Sequence, residues 1–75
     1  MRVTVLYFAS VRERRGRASE TLDLDGPTTI GDLYADLLGA DAPTVAYTRN
    51  RVVCAPDTAL ADGDEVSFLP PLGGG

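Results

Sequence analysis

Histidine, lysine and tryptophan are absent from this 75-residue sequence, and cysteine and methionine occur once each. Without histidine, the chain lacks the side chain most often used as a general base near neutral pH and as a metal ligand. Without lysine, it cannot form a Schiff base, supply a P-loop lysine or conjugate itself through a side-chain amine. The single cysteine, Cys54, permits neither an internal disulfide nor a Cys-x-x-Cys pair, which fits a reducing compartment. It stands in the apolar run Val52, Val53, Cys54, Ala55 with no histidine to activate it, so a strand-buried thiol is expected rather than a nucleophile. A basic leader and a long apolar run are missing too. A β-rich stretch is reached by residue 3 and no segment approaches membrane-spanning length, so the chain is expected to be soluble and cytoplasmic, with no membrane partner.

Positive charge is scarce. All seven basic residues are arginine, against eleven acidic ones, for a net charge of −4 and a sequence pI near 4.4. The electrostatic footprint of a nucleic-acid binder is therefore lacking, and an anionic lipid surface is an equally poor match. The length allows one domain with a modest core and no large substrate pocket. A hydrophobic content of 44% and five aromatic residues suit a folded globule.

What is present is ordered by apolar periodicity. Residues 2–9 are β-branched and aromatic and predict a first strand, with Val3, Val5 and Tyr7 on one face and Leu6 and Phe8 on the other. Because both faces are apolar, this strand belongs inside its sheet or keeps one face for a partner. Ser10 is placed to cap a short helix over 11–15, stopped by Gly16. Alternation over 19–24 predicts a second strand, antiparallel to the first and ended by Gly26-Pro27. Thr28 or Thr29 then caps the main helix, whose apolar residues Ile30, Leu33, Tyr34, Leu37 and Leu38 recur at helical spacing before Gly39. Two short strands, 44–49 and 51–55, flank a turn at Asn50. Residues 57–61 form a connecting turn, Ala61-Asp62-Gly63-Asp64 a tight one, and 65–69 the last strand. The acidic residues of that turn lack the remaining ligands of a calcium loop, so no metal is expected. The arginines at 12, 14, 15 and 17 could meet an acidic partner loop or a phosphate-bearing substrate, but they read as a solvated run screened by Glu13 and Glu20.

This order describes one α+β domain over residues 1–75, a mixed sheet of four to five strands with one main helix across it. It is the arrangement of the ubiquitin-like β-grasp. Pro70-Pro71 removes two ladder donors and favours an extended exit, so 70–75 is expected to leave the sheet as a tail ending in Gly73, Gly74 and Gly75. Glycines without a Cβ can enter a narrow channel. Six extended residues span on the order of 20 Å, enough to reach inside another protein.

The opening VLYFASVRERRG and the closing LADGDEVSFLPPLGGG resemble the molybdopterin synthase small subunits, sulfur carriers of the MoaD/ThiS group. The resemblance spans the chain in length and element order. It rests on the aromatic first strand running into Val11-Arg12-Glu13, on the turn at Asp62 to Glu65, and on Phe68-Leu69-Pro70-Pro71 before a terminal Gly-Gly. Gly73 departs from the family pattern, and residues 41–58 match only loosely apart from Asn50. The resemblance implies that Gly75, with Gly74 beside it, is the reacting end. An E1-like enzyme adenylates its carboxyl group, and a sulfur donor such as a desulfurase or rhodanese converts it to a thiocarboxylate. The large synthase subunit then receives the sulfur. No cofactor is implied beyond the covalent glycyl adenylate and 1-thioglycine. The chain would thus be no enzyme alone but the sulfur-donor subunit of a sulfurtransferase complex.

Parity adds a partner face. Phe8 and Leu69 lie opposite the Val3/Val5/Tyr7 and Val66/Phe68 faces, and Val53 matches a third apolar contact of the family. With Pro70, Pro71, Leu72 and Gly73 these are the expected partner-binding residues. The same patch could instead be covered by the protein's own loops. Carriers for thiamine, cysteine or transfer-RNA thiolation, and ubiquitin-like modifiers joined to target lysines, share the tail and remain alternatives.

Overall fold

The structure, a computed structural model, describes residues 1–71. Its elements are β1 (Arg2–Tyr7), α1 (Ala9–Arg15), β2 (Ser19–Asp23), α2 (Ile30–Leu38), β3 (Ala46–Arg49), β4 (Val52–Cys54) and β5 (Glu65–Leu69). The five strands form one sheet in the order β2-β1-β5-β3-β4. β1 pairs antiparallel with β2 and parallel with β5, and β3 pairs antiparallel with both β5 and β4. A parallel pair at the centre, joined through a connection that carries the main helix, is the ubiquitin-like β-grasp.

The alternation in the strands decides which face is buried. Val3, Val5 and Tyr7 of β1 and Val66 and Phe68 of β5 are all at most 2% exposed and pack with Ile30, Leu33, Tyr34 and Leu38 of α2 and Val11 of α1. Tyr34 lies against Phe68 with ring centroids 4.8 Å apart, and its hydroxyl donates to the Pro43 carbonyl at 2.6 Å, fixing the loop after α2. Thr29 is the cap of α2. Its hydroxyl accepts from the Asp32 N–H at 3.2 Å, and Asp32 complements the positive end of the helix.

Local boundaries differ from expectation where backbone conformation overrides residue preference. Ser10 does not cap α1. Phe8 is the extended N-cap, without a side-chain bond, and Ala9 enters the helix at φ +51°. The abrupt turn at Ala9 ends β1 two residues early and places Ser10 inside the helix. Gly16 ends α1 at φ +82°, a left-handed conformation that glycine adopts without penalty. β3 and β4 are shorter than the periodicity predicts and are joined by Asn50 and Arg51, both left-handed, as a two-residue hairpin turn requires. Cys54 is half-buried at the sheet edge rather than enclosed. Leu60, within the predicted connecting turn, is a core residue, held where its N–H donates to the Thr28 carbonyl and Ala59 bridges Thr29.

Candidate functional site

The helices bury one face of the sheet and leave the other uncovered by either of them. Across that second face the register places Ser19, Leu6, Ser67, Thr48 and Val53 in one row over all five strands. Ser67 and Thr48 are buried because they are short and sit on interior strands, while Leu6 is half-buried and Val53 is 60% exposed at the edge. One step further along, past the paired residues Tyr7 and Phe68, stand Phe8 and Leu69, with Leu69 opposite Ala46 on β3. Phe8 is 41% exposed, Leu69 and Ala46 are half-buried, and Pro70 and Pro71 are exposed immediately beyond. Phe8 and Leu69 thus follow the last paired residues of two adjacent parallel strands, and Val53 lies two strands from Ser67, about 10 Å at ordinary strand spacing. Leu72, Gly73, Gly74 and Gly75 lie outside the described residues.

The start of β5 is fixed by a polar clamp. The Asn50 side-chain amide donates to Asp64 at 3.0 Å and its carbonyl accepts from the Glu65 N–H at 2.9 Å. Its own backbone N–H donates to the Glu65 carbonyl at 2.7 Å. The second Asp64 oxygen accepts from the Ala61 N–H at 2.8 Å and lies 3.4 Å from the Arg49 guanidinium. Burial alone would raise the Asp64 pKa, but these donors more than offset it and hold the carboxyl below its usual range. The acidic turn is thus a structural joint. Among the described residues no cluster of acidic or sulfur side chains is arranged to hold a metal.

Near the other end of β1, Glu20 collects the run of arginines. Arg15 reaches it with two bonds of 2.7 and 3.1 Å, Arg17 with one of 3.3 Å, and the Tyr7 hydroxyl with one of 2.6 Å. Arg14 goes instead to Asp41 at 2.7 Å, tying α1 to the end of α2. Of the two glutamates expected to screen this run, Glu20 does so. Sequence reasoning missed Asp41 because a partner 27 residues away leaves no local signal.

An uncovered apolar face beside an exposed Pro-Pro step invites comparison with known proteins, and residues 5–75 match the ThiS family over nearly the whole chain. The chain belongs to the ThiS family. A ThiS-family relative in the alga Chlamydomonas reinhardtii, named molybdopterin synthase sulfur carrier subunit, is 36% identical over 100% of both chains. Small archaeal modifier protein 1 of Haloferax volcanii is 30% identical over 91% of this chain and 94% of its own; its crystal structure superposes with a TM-score of 0.77 over 100% of both chains. Subunit 1 of the molybdopterin-converting factor of Helicobacter pylori, solved in complex with subunit 2, is 25% identical over 100% of both chains, with a TM-score of 0.66.

Within this ThiS-family chain, a depression of about 560 Å³ opens between α2 and the β3–β4 hairpin and is lined by groups such as Tyr34, Pro43, Tyr47 and Cys54. It brings together no acid–base pair. The uncovered sheet face, with the exit at Pro70-Pro71, is the candidate site.

Proposed function

We propose that the chain is a sulfur carrier acting as the small subunit of molybdopterin synthase, with its reactive atom at the Gly75 carboxyl. The observation that carries this reading is the helix-free sheet face with exposed Phe8 and Val53 and half-buried Leu69 leading to exposed prolines, in a chain whose relatives are named sulfur carrier subunits. The face docks on a large subunit and the glycines enter it. Lacking histidine and lysine, the chain supplies a reactant while partners supply acid, base and cation.

A carboxylate is a poor electrophile and must be activated. Attack of the Gly75 carboxylate on the α-phosphorus of ATP, in an adenylating partner, expels pyrophosphate and gives an acyl-adenylate. A sulfur nucleophile then attacks the carbonyl carbon, and AMP leaves with the electron pair. Where the donor is a persulfide, a second thiol takes its remaining sulfur into a disulfide. The resulting thiocarboxylate is a good nucleophile at neutral pH. In the large subunit it attacks the pterin precursor, and hydrolysis returns the Gly75 carboxylate. Two loaded carriers supply the two sulfurs of a dithiolene.

The test is reconstitution. Thiocarboxylated protein, mixed with the large subunit and pterin precursor, is expected to yield the dithiolene product, whereas unloaded protein yields none. A modifier role, favoured by the similarity to small archaeal modifier protein 1, would instead give stable bonds from Gly75 to target lysines and no dithiolene.

A further inference from the structure

Six of the seven arginines have a carboxylate partner. Arg2 pairs with Asp23, Arg14 with Asp41, Arg15 and Arg17 with Glu20, Arg49 with Asp64 and Arg51 with Glu65. Arg12 is the exception. Among the described residues its side chain makes no ion pair and is exposed, in a chain where acidic residues outnumber basic ones by eleven to seven. Its neighbour Glu13 does not neutralise it, because consecutive residues on a helix point in different directions.

The location of Arg12 matters. It is four residues after Phe8, and its backbone N–H donates to the Phe8 carbonyl at 3.2 Å, so the two share one turn. Phe8 is the exposed aromatic at the end of β1. Between them Ala9 holds a left-handed backbone, φ +51°, which costs a residue with a Cβ about 1 kcal/mol or more. This left-handed residue makes the sharp corner between the end of β1, where Phe8 is extended, and α1, which carries Arg12. Residues 8–17 carry four arginines and one glutamate, a net charge of +3, which leaves −7 on the remainder of the chain. Asp41 and Glu20, from outside this segment, pair with Arg14, Arg15 and Arg17, so the cation at this corner left without a partner among the described residues is Arg12.

We infer that Arg12 is an interface residue: it pairs with a carboxylate on the molybdopterin synthase large subunit that borders an apolar pocket for Phe8. This rests on the function proposed above and adds the partner's chemistry. A guanidinium offers a planar fork of donors that matches a carboxylate in two parallel bonds. A guanidinium without a partner in its own chain attracts an approaching carboxylate over about a Debye length, so Arg12 acts chiefly on the association rate.

The experiment measures association and dissociation of the full chain with the large subunit of the same organism, at low and physiological salt. R12E is expected to associate about tenfold more slowly at low salt and to lose much of the salt dependence. R12A shows a smaller loss in the same direction, and R12K recovers most of the rate. R14A, which removes an arginine already paired within the chain, stays within about twofold of the parent. Phe8→Asp instead raises the dissociation rate while the isolated protein keeps its circular dichroism spectrum. R12E and R12A associating at the parent rate with the parent salt dependence would overturn the assignment of Arg12 while leaving the carrier reading intact. No binding by the parent chain would overturn both.

Discussion

Glu20 lies on β2, opposite Val5 in the register, yet its carboxylate is only 9% exposed. Two guanidinium groups and a phenol keep it ionised there. The Arg15 bonds are the largest cause, burial works against them, and the Tyr7 hydroxyl and Arg17 reinforce them; together they bring the pKa down to about 2 from 4.5. Burial and the same carboxylate hold the Tyr7 phenol protonated, with its pKa raised. A carboxyl group whose folded pKa is depressed contributes stability above its unfolded pKa and loses it as pH falls. The contribution of Glu20 is therefore complete above about pH 4.5 and vanishes toward pH 2. Glu20→Gln is expected to lower stability at pH 7 by on the order of 2 kcal/mol. In denaturant titrations, the gap between parent and variant should close between pH 4.5 and 2; a gap independent of pH would mean that the carboxylate's charge is not what holds this corner. The sequence indicated that Glu20 tempers the arginines. It did not indicate the phenol, because Tyr7 and Glu20 meet only through strand pairing.

Elements whose identity depends on local pattern were legible, and those set by tertiary contact were not. The alternation of β5 and the cap and spacing of α2 predict their boundaries closely, since each has one buried face and a defined start. The entry to α1 was misread because the left-handed Ala9, not the serine after it, makes the turn. Leu60 was missed because an isolated apolar residue in an acidic turn has no period. Gly31 shows the same limit within α2. As a glycine in a helix it is unfavourable by about 1 kcal/mol relative to alanine. A Cβ there, however, would lie 2.9 Å from the Pro56 carbonyl oxygen and 3.0 Å from the Pro56 Cβ, while the Gly31 N–H donates to that same carbonyl at 2.8 Å. Backbone cannot yield as a flexible side chain does. Gly31→Ala is expected to destabilise by about 1–3 kcal/mol despite its better helix propensity. Chemical denaturation checks this, and an unchanged or higher midpoint would show that the loop moves freely away from α2.

At the scale of the molecule, the β-grasp divides its labour between the faces of one sheet. The helix-covered face holds the chain together, and the uncovered face carries Leu6, Phe8, Leu69 and Val53, ending at two exposed prolines. Strand parity set Phe8 and Leu69 on the face away from the core, because a period of two leaves a residue only two choices, whereas Val53 came from the family resemblance. The isolation of Arg12 was invisible to that reasoning, since it emerges only once every other arginine has found its carboxylate. No described helix is long and apolar enough to cross a membrane. The central claim, proposed above, is that the chemistry resides at the Gly75 carboxyl and is completed inside partners. The most direct measurement is the intact mass of the protein after incubation with its adenylating enzyme, ATP and a sulfur donor. The account predicts replacement of one oxygen by sulfur at Gly75, abolished when ATP is omitted. A mass unchanged under the full reaction conditions would contradict it.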